Sequence, residues 1–398
     1  MNLDYNQKFF FELLKAGLWG GQRPVQEFNS LKVQDSVDWE KVYQLAQEQS
    51  VQGIVLSGLE ELKAKGIELS LPKVLLLQWI GEVQVIEQRN KEMNVFVAEL
   101  IEKLRKEDIY AILVKGQGIA QCYEKPLWRS SGDIDLLLSD SNYDKAKDVL
   151  LPLATDIEQE FAHFKHLGMT INGWVVELHG TLHSRLSKRV DRMIDKMQGN
   201  VFFGGNVKSW NNNGTQVFIP APNEDVIFVF THILHHFYIE GVGLRQICDW
   251  CRLLWTYRDS LNHGFLESRI REAGLMSEWK AFYNLASRYL GMPDLGSRLT
   301  GVESATSRHS SNKFGSEHDS IADFMICDSR YDKKANRIME FVMETGNFGH
   351  NRHNADGKLV SLWHKTKDFA RHAQVFPLDS IKFYFHFVWD GIKVAMNK

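Results

Sequence analysis

At Asp108 the spacing of apolar residues changes, and just after Pro222 it changes back. Up to residue 107, FFFELLKAGL, VDWEKVYQLAQEQSV and the stretch from Pro72 to Glu107 place apolar side chains every three or four residues, the period of an amphipathic helix. Residues 25–30 and the Lys63 to Pro72 stretch interrupt them, and the last helix is long enough to need a break or to span the whole domain. From Asp108 to about residue 220 the apolar residues come in short runs bounded by Gly, Asn and Asp, the pattern of strands and tight turns. Helical spacing then returns in NEDVIFVFTHILHHFYIE, GLRQICDWCRLLWTYR and SEWKAFYNLASRYLG, and again in NRIMEFVMETGNFG, LVSLWHKTKDFARHA and LDSIKFYFHFVWDGIKVA. The pattern predicts an α+β fold: a small mixed-sheet core over 108–220, an N-terminal helical region over 1–107 and a C-terminal helical region over 221–398. The Ser-rich stretch 301–320, nearly devoid of apolar residues, reads as a mobile loop within the last region.

Inside the core, IYAILVKG (109–116) reads as a buried strand feeding a Gly turn, with GIAQCYEK a short helix after it. DIDLLLSD (133–140) is a second strand, and 141–154 a helix with Ser141 or Asn142 placed to cap it. KHLGMTI (165–171) and WVVELHG (174–180) flank Asn172-Gly173, the strongest short signal for a hairpin. Residues 201–218 read as an Asn- and Gly-rich loop ending in one more strand, TQVFIP.

Composition removes several function classes. The 398 residues carry 47 Lys+Arg against 50 Asp+Glu, a net charge of −3, so no global basic field attracts nucleic acid. The opening MNLDYNQKFFFELLKAGLWGG has no basic leader before an apolar core and does not read as a signal peptide. The apolar run Val226–Phe230 meets Thr231 and His232 far short of the ~20 residues that cross a bilayer. Four cysteines make no disulfide framework, which points to a reducing, cytoplasmic setting. Cys248 and Cys251 form a C-x-x-C on a helical pattern with no second pair, which reads as buried helix cysteines rather than a redox or zinc site.

The chemistry concentrates in Lys115-Gly116-Gln117-Gly118, in Arg129-Ser130-Ser131-Gly132-Asp133-Ile134-Asp135, and in Glu177. Alternation along a strand puts Asp133 and Asp135 on one face, with Ile134 behind them. Two carboxylates so placed repel each other, and a divalent cation resolves the repulsion; hard Mg²⁺ prefers such oxygen ligands together with substrate phosphates. Glu177, between Val176 and Leu178 on the second hairpin strand, is equally unexplained without a cation, and joins the pair if its strand lies beside theirs. Gly116 and Gly118 allow backbone N–H groups to approach a polyphosphate, and Lys115 and Arg129 add positive charge.

The block LVKGQGIAQCYEKPLWRSSGDIDLLL resembles the nucleotidyltransferases of the DNA polymerase β-like superfamily, whose core is a small-residue turn, a D-x-D strand and a third carboxylate. The K-G…R-x-x-x-D-x-D form, the later V-E-L-H, and the GLRQICD and TGNFG segments resemble the uncharacterised bacterial nucleotidyltransferase family five. The abortive-infection toxin nucleotidyltransferases are similar in the first motif. Gln117 stands where that turn has its second small residue, displaced here to Gly118, and the interval from Gly116 to Asp133 is longer than the usual one.

The resemblance implies a nucleotidyltransferase that moves a nucleoside monophosphate from an NTP to an acceptor, a small molecule, a protein or an RNA, with release of pyrophosphate. It implies two Mg²⁺ ions on Asp133 and Asp135, with Glu177 completing the second metal site or acting as general base. Lys115, Gly116, Gly118 and Arg129 would hold the nucleotide. His179, on the Glu177 face, is either a phosphate or acceptor contact or a polar rim histidine. Two other readings compete: a toxin-like enzyme acting on tRNA, and a non-catalytic nucleotide-binding or interaction protein. Farther along, His232, His235 and His236 have helical spacing and read as cleft-lining or hydrogen-bonded helix histidines before a zinc site. Arg245 and Asp249, four residues apart on one helix, are expected to form an ion pair.

Overall fold

A computed structural model describes residues 3–20, 37–160, 165–239, 241–293, 295, 323–347 and 358–383. The break at 25–30, the Ser-rich 301–320 stretch and the closing helix beyond residue 383 lie outside the described residues.

The N-terminal region forms α1 (Tyr5–Trp19), α2 (Trp39–Glu48), α3 (Gln52–Ala64) and α4 (Lys73–Lys106). Helix α1 starts at Asp4, whose side chain accepts from the Gln7 amide while Gln7 bonds back to the Asp4 amide. Helices α1 and α3 touch backbone to backbone: a Cβ on Gly17 would overlap the Ile54 carbonyl oxygen, and one on Gly58 that of Leu13. Helix α4 has no break. Its 34 residues run about 51 Å at ~1.5 Å per residue. Leu75, Trp79 and Val83 at one end pack on the helical layer, and Phe96, Val97, Leu100 and Leu104 at the other pack beneath the sheet.

Among the described residues the sheet has seven strands: β1 (Ala111–Val114), β2 (Ile134–Leu138), β3 (Asp156–Ile157), β4 (His166–Ile171), β5 (Trp174–His179), β6 (Val207–Asn212) and β7 (Thr215–Pro220). Their order is β3-β4-β5-β2-β1-β7-β6. Strand β2 is antiparallel to β1 and parallel to β5, and β1 is parallel to β7, so the sheet is mixed as expected. The β4–β5 hairpin turns at Asn172 (φ +51°) and Gly173 (φ +79°), both left-handed as a two-residue hairpin turn requires. A second Asn-Gly turn, Asn213 (φ +51°) and Gly214 (φ +87°), joins β6 to β7.

Several boundaries differ from the sequence reading. Helix α5 after β1 is only Gly116–Ala120. Helix α6 covers Asp140–Leu150, so its cap position is Ser139 rather than Ser141 or Asn142; Pro152 then forces a 3₁₀ turn at Leu151–Leu153. Residues 201–218 hold the end of a helix, α7 (Lys188–Phe203), and the strand β6, both read as loop from their Asn and Gly content. After the sheet come α8 (Pro222–Ile239), α9 (Leu244–Thr256), α10 (His263–Ala273), α11 (Met276–Leu290), α12 (Asp332–Thr345) and α13 (Lys358–Val375).

Two apolar cores result. One lies between a sheet face carrying Ile134, Leu136, Val176 and Leu178 and the helices α4 and α6. The other joins Ile112, Val114 and Leu137 of the opposite face to side chains of α1–α3 and α7–α12. The two helical regions therefore share one core: the Trp19 indole donates to the Leu290 carbonyl at 2.6 Å, and Arg252 of α9 donates to the Leu18 carbonyl at 2.6 Å. The GLRQICD and TGNFG segments also meet, since a Cβ on Gly243 would lie 2.7 Å from the Asn347 Cα. Among the described residues no helix is long and apolar enough to cross a membrane.

Candidate active site

Strand register assembles the site. Asp135 is directly opposite Val114 on β1 and Glu177 on β5, while Asp133 immediately precedes β2. Alternation then turns Asp135, Glu177 and His179 to the face opposite Ile134, Val176 and Leu178. One oxygen from each of Asp133, Asp135 and Glu177 lies within 4.8 Å of the others. The Asp135 side chain is 2% exposed, and Asp133 and Glu177 are half-buried.

Positive charge closes around the carboxylates. Lys115, the residue after β1, has φ +59° and ψ −146°, a conformation costing about 1–3 kcal/mol for a side-chain-bearing residue. Its ammonium donates to Asp135 Oδ1 at 2.7 Å. His179 Nε2 lies 2.8 Å from the same oxygen and 3.3 Å from Glu177 Oε2, and His166 Nε2 lies 3.2 Å from Glu177 Oε2.

The charges shift accordingly. Asp135 repulsion, with burial, pushes the Asp133 carboxyl above the usual range. Burial also acts against the charge of Asp135, but Lys115 and His179 outweigh it and hold that carboxyl below the usual range. Glu177 goes the same way, its burial outweighed by the two histidines. Burial opposes protonation of His179, yet Asp135 and Glu177 raise its pKa.

The other expected ligand residues divide. Gly116 (φ +37°) lines the cleft with Asp133, Asp135 and Glu177. Gly118 is buried, and a Cβ there would sit 3.1 Å from Ile219 Cγ2, so its small size serves the packing of α5 on β7. Gln117 ties α5 to α4 through a 3.0 Å bond to Asn90 Oδ1. Arg129 is buried and grips Asp249 twice, Nε to Oδ1 at 2.8 Å and Nη2 to Oδ2 at 2.6 Å. Asp249 thus pairs with a residue of the sheet region, and the Tyr123 hydroxyl donates to its Oδ1 at 2.8 Å. This corrects the expectation of a pair with Arg245 within α9. Arg245 donates to the Ser130 carbonyl at 2.8 Å, and Arg129 Nη1 reaches the same carbonyl and Ser131 Oγ. Both arginines therefore fasten the backbone just ahead of Asp133.

Helix α8 roofs the site and divides it into two cavities of about 360 Å³ each, which share Lys115, Glu177, His232 and His236. His232, His235 and His236 line the cleft, as expected, without converging on a common point: His236 faces His232 at 3.0 Å, while His235 Nδ1 meets the Ser184 carbonyl at 2.7 Å. Cys248 and Cys251 are buried, and burial pushes both thiols up, which leaves them inert. His166 was not singled out from the sequence. A signal existed: the Asn172-Gly173 turn sets the register that puts His166 directly opposite His179.

The sequence from residue 35 to 291 matches the profile of a family described as an uncharacterised nucleotidyltransferase. A solved structure, of an antigenic nucleotidyltransferase-like protein from Paracoccidioides brasiliensis, is similar over 50% of this chain and 93% of its own, at 16% identity and a TM-score of 0.32. No curated protein matches the chain.

Proposed function

The chain belongs to the family of uncharacterised nucleotidyltransferases, and from that membership and the site geometry we propose that it is an active, Mg²⁺-dependent enzyme of that class. It transfers a nucleoside monophosphate from an NTP to an acceptor: the acceptor oxygen bonds to the α-phosphorus, pyrophosphate leaves, and the acceptor's proton is released. The observation that carries this reading is the convergence of Asp133, Asp135 and Glu177 within 4.8 Å on one sheet face. A purely binding or interaction module has no need to gather three carboxylates at the foot of a cleft.

These residues fit the implied metal. Their donor atoms are all oxygen, they are at least half-buried, and the Asp133–Asp135 repulsion calls for a cation. Asp133, Asp135 and Glu177 would hold Mg²⁺, which when bound neutralises the triphosphate and the charge that develops as pyrophosphate departs. Lys115 orients Asp135 and adds charge at the turn beside Gly116. Arg129 and Arg245 keep the backbone ahead of Asp133 in place. Glu177, flanked by two imidazoles, stays ionised and serves as a ligand.

The test is incubation with each of four α-labelled NTPs, Mg²⁺ and a cell lysate that supplies small molecules, proteins and tRNA. Label transfer with pyrophosphate release, absent from Asp133→Ala, supports the reading. A wild-type protein that neither binds nor cleaves any NTP in the presence of Mg²⁺ overturns it.

A further inference from the structure

The second cavity under α8 is walled by a different donor set. His166 on β4 and His179 on β5 are directly opposed in the hairpin, and both turn Nε2 toward Glu177. We propose that His166, His179 and Glu177 form a binding site for a borderline divalent cation of the Zn²⁺ or Co²⁺ class, open on one side to this cavity.

One ligand atom from each of the three lies within 4.8 Å of the others, and the Nε2-to-Oε2 separations are 3.2 and 3.3 Å. Two donors each about 2.1 Å from a tetrahedral ion stand about 3.4 Å apart, so both separations match an edge of such a site. A divalent ion bonded to both Nε2 atoms and to Glu177 Oε2 takes the place of the Nε2 protons; His179 then gives up its 2.8 Å hydrogen bond to Asp135, which keeps the Lys115 ammonium at 2.7 Å. Two imidazole nitrogens and one carboxylate oxygen favour a first-row transition ion over Mg²⁺, which prefers the all-oxygen set next door.

Asp225, in the first turn of α8, lines the same cavity and is 5% exposed, and among the described residues its Oδ1 has no hydrogen-bond partner. Burial and the nearby Asp249 push its carboxyl up to about 7, and its unpaired oxygen is a contact for water or a ligand in that cavity. Three protein ligands with an open fourth position is the arrangement of a catalytic rather than a structural site. Glu177 is common to both donor sets. The donor set itself does not depend on nucleotidyl transfer.

The experiment titrates metal-free, full-length protein with Co²⁺, read by visible absorption and calorimetry in excess Mg²⁺. We expect about one equivalent of Co²⁺ with the absorption of a low-coordinate, nitrogen-ligated ion. His166→Gln should weaken it by more than the ~10–100-fold typical of losing an outer-shell partner, and His263→Gln, remote from the cavity, should leave it unchanged. A site equally strong in His166→Gln, or equally weakened in His263→Gln, is adventitious and overturns the proposal. X-ray absorption fine structure of Zn²⁺-loaded wild type in excess Mg²⁺ checks imidazole ligation without any variant, and the absence of imidazole scattering also overturns it. Mg²⁺-dependent binding of each of the four NTPs, measured in parallel, separates the two readings. NTP binding without a Co²⁺ site sinks the cation proposal alone. A Co²⁺ site in a protein that binds none of the four sinks the nucleotidyltransferase reading and leaves this one standing.

Discussion

Arg129 and Asp249 lie 120 positions apart in the chain and meet in a two-bond ion pair, each side chain about 5% exposed or less. Arg129 leads into β2 and Asp249 sits within α9, so the pair fixes the strand bearing the carboxylates to the helical layer. Removing one partner strands a buried charge. Arg129→Ala should lower stability by about 3–5 kcal/mol, measured by denaturant unfolding. Replacing both residues with apolar ones of similar volume should recover much of that loss, and a double variant no more stable than the single one would show that the pair is not the cause.

Asp133→Asn removes one charge from a repelling pair. Mg²⁺-dependent NTP binding should be lost, while unfolding shows a protein at least as stable as wild type at neutral pH. Calorimetry with ATP and GTP, with and without Mg²⁺, reads the first effect, and thermal melting the second. Unchanged binding would remove Asp133 from the proposed metal site.

Glu177→Gln keeps the shape and the hydrogen bonds to the hairpin but removes a ligand charge. On the proposed reading the β1 turn and the Asp133–Asp135 pair hold the nucleotide, so its binding should persist while turnover falls about 10²–10³-fold. Full activity in this variant would reduce the site to two carboxylates.

Glu278 of α11 is fully buried, and burial pushes its carboxyl up to about 8. The folded protein therefore holds this proton to about pH 8, whereas the unfolded chain releases it near pH ~4.3. In that window the folded state binds more protons, so stability falls as pH rises, by up to ~1.4 kcal/mol per pH unit. Glu278→Gln should flatten this part of the profile and raise stability at pH 8. Equal slopes in the two proteins would show that Glu278 is ionised in the fold.

Gly17 and Gly58 let α1 and α3 meet at van der Waals distance. Gly58→Ala drives a methyl into the Leu13 carbonyl, with no flexible side chain to give way, and should cost about 1–3 kcal/mol in thermal or denaturant unfolding. A neutral result would mean that the helices separate freely.

Much of the arrangement follows from short-range rules. The Asn172-Gly173 turn sets the hairpin register, and alternation then carries Glu177 and His179 to one face. That this face looks at Asp135 depends on β5 pairing with β2, a long-range choice that the sequence reading left conditional. His166 escaped notice because it opens its strand, where a polar residue is unremarkable until the register is drawn across to His179. Asp249 shows a different limit. Four-residue spacing offers Arg245 as its partner, whereas the fold brings Arg129 from another element, which no local period reveals. Strand β6 has no alternation to read, because it is an edge strand bonded only to β7 and its side chains are largely solvent-facing.

The ion pair between β2 and α9 also sets how small a working piece of this protein can be. Residues 108–220 contain all three carboxylates, both strands that align them and the turn that bears Lys115. A fragment cut there would lose Asp249 and Arg245, leave Arg129 as an uncompensated cation, and bare the sheet face that α8 now roofs. The chemistry is local, but its geometry is held from a distance. The shortest segment that keeps the carboxylates in register must therefore extend at least through Thr256, the end of α9.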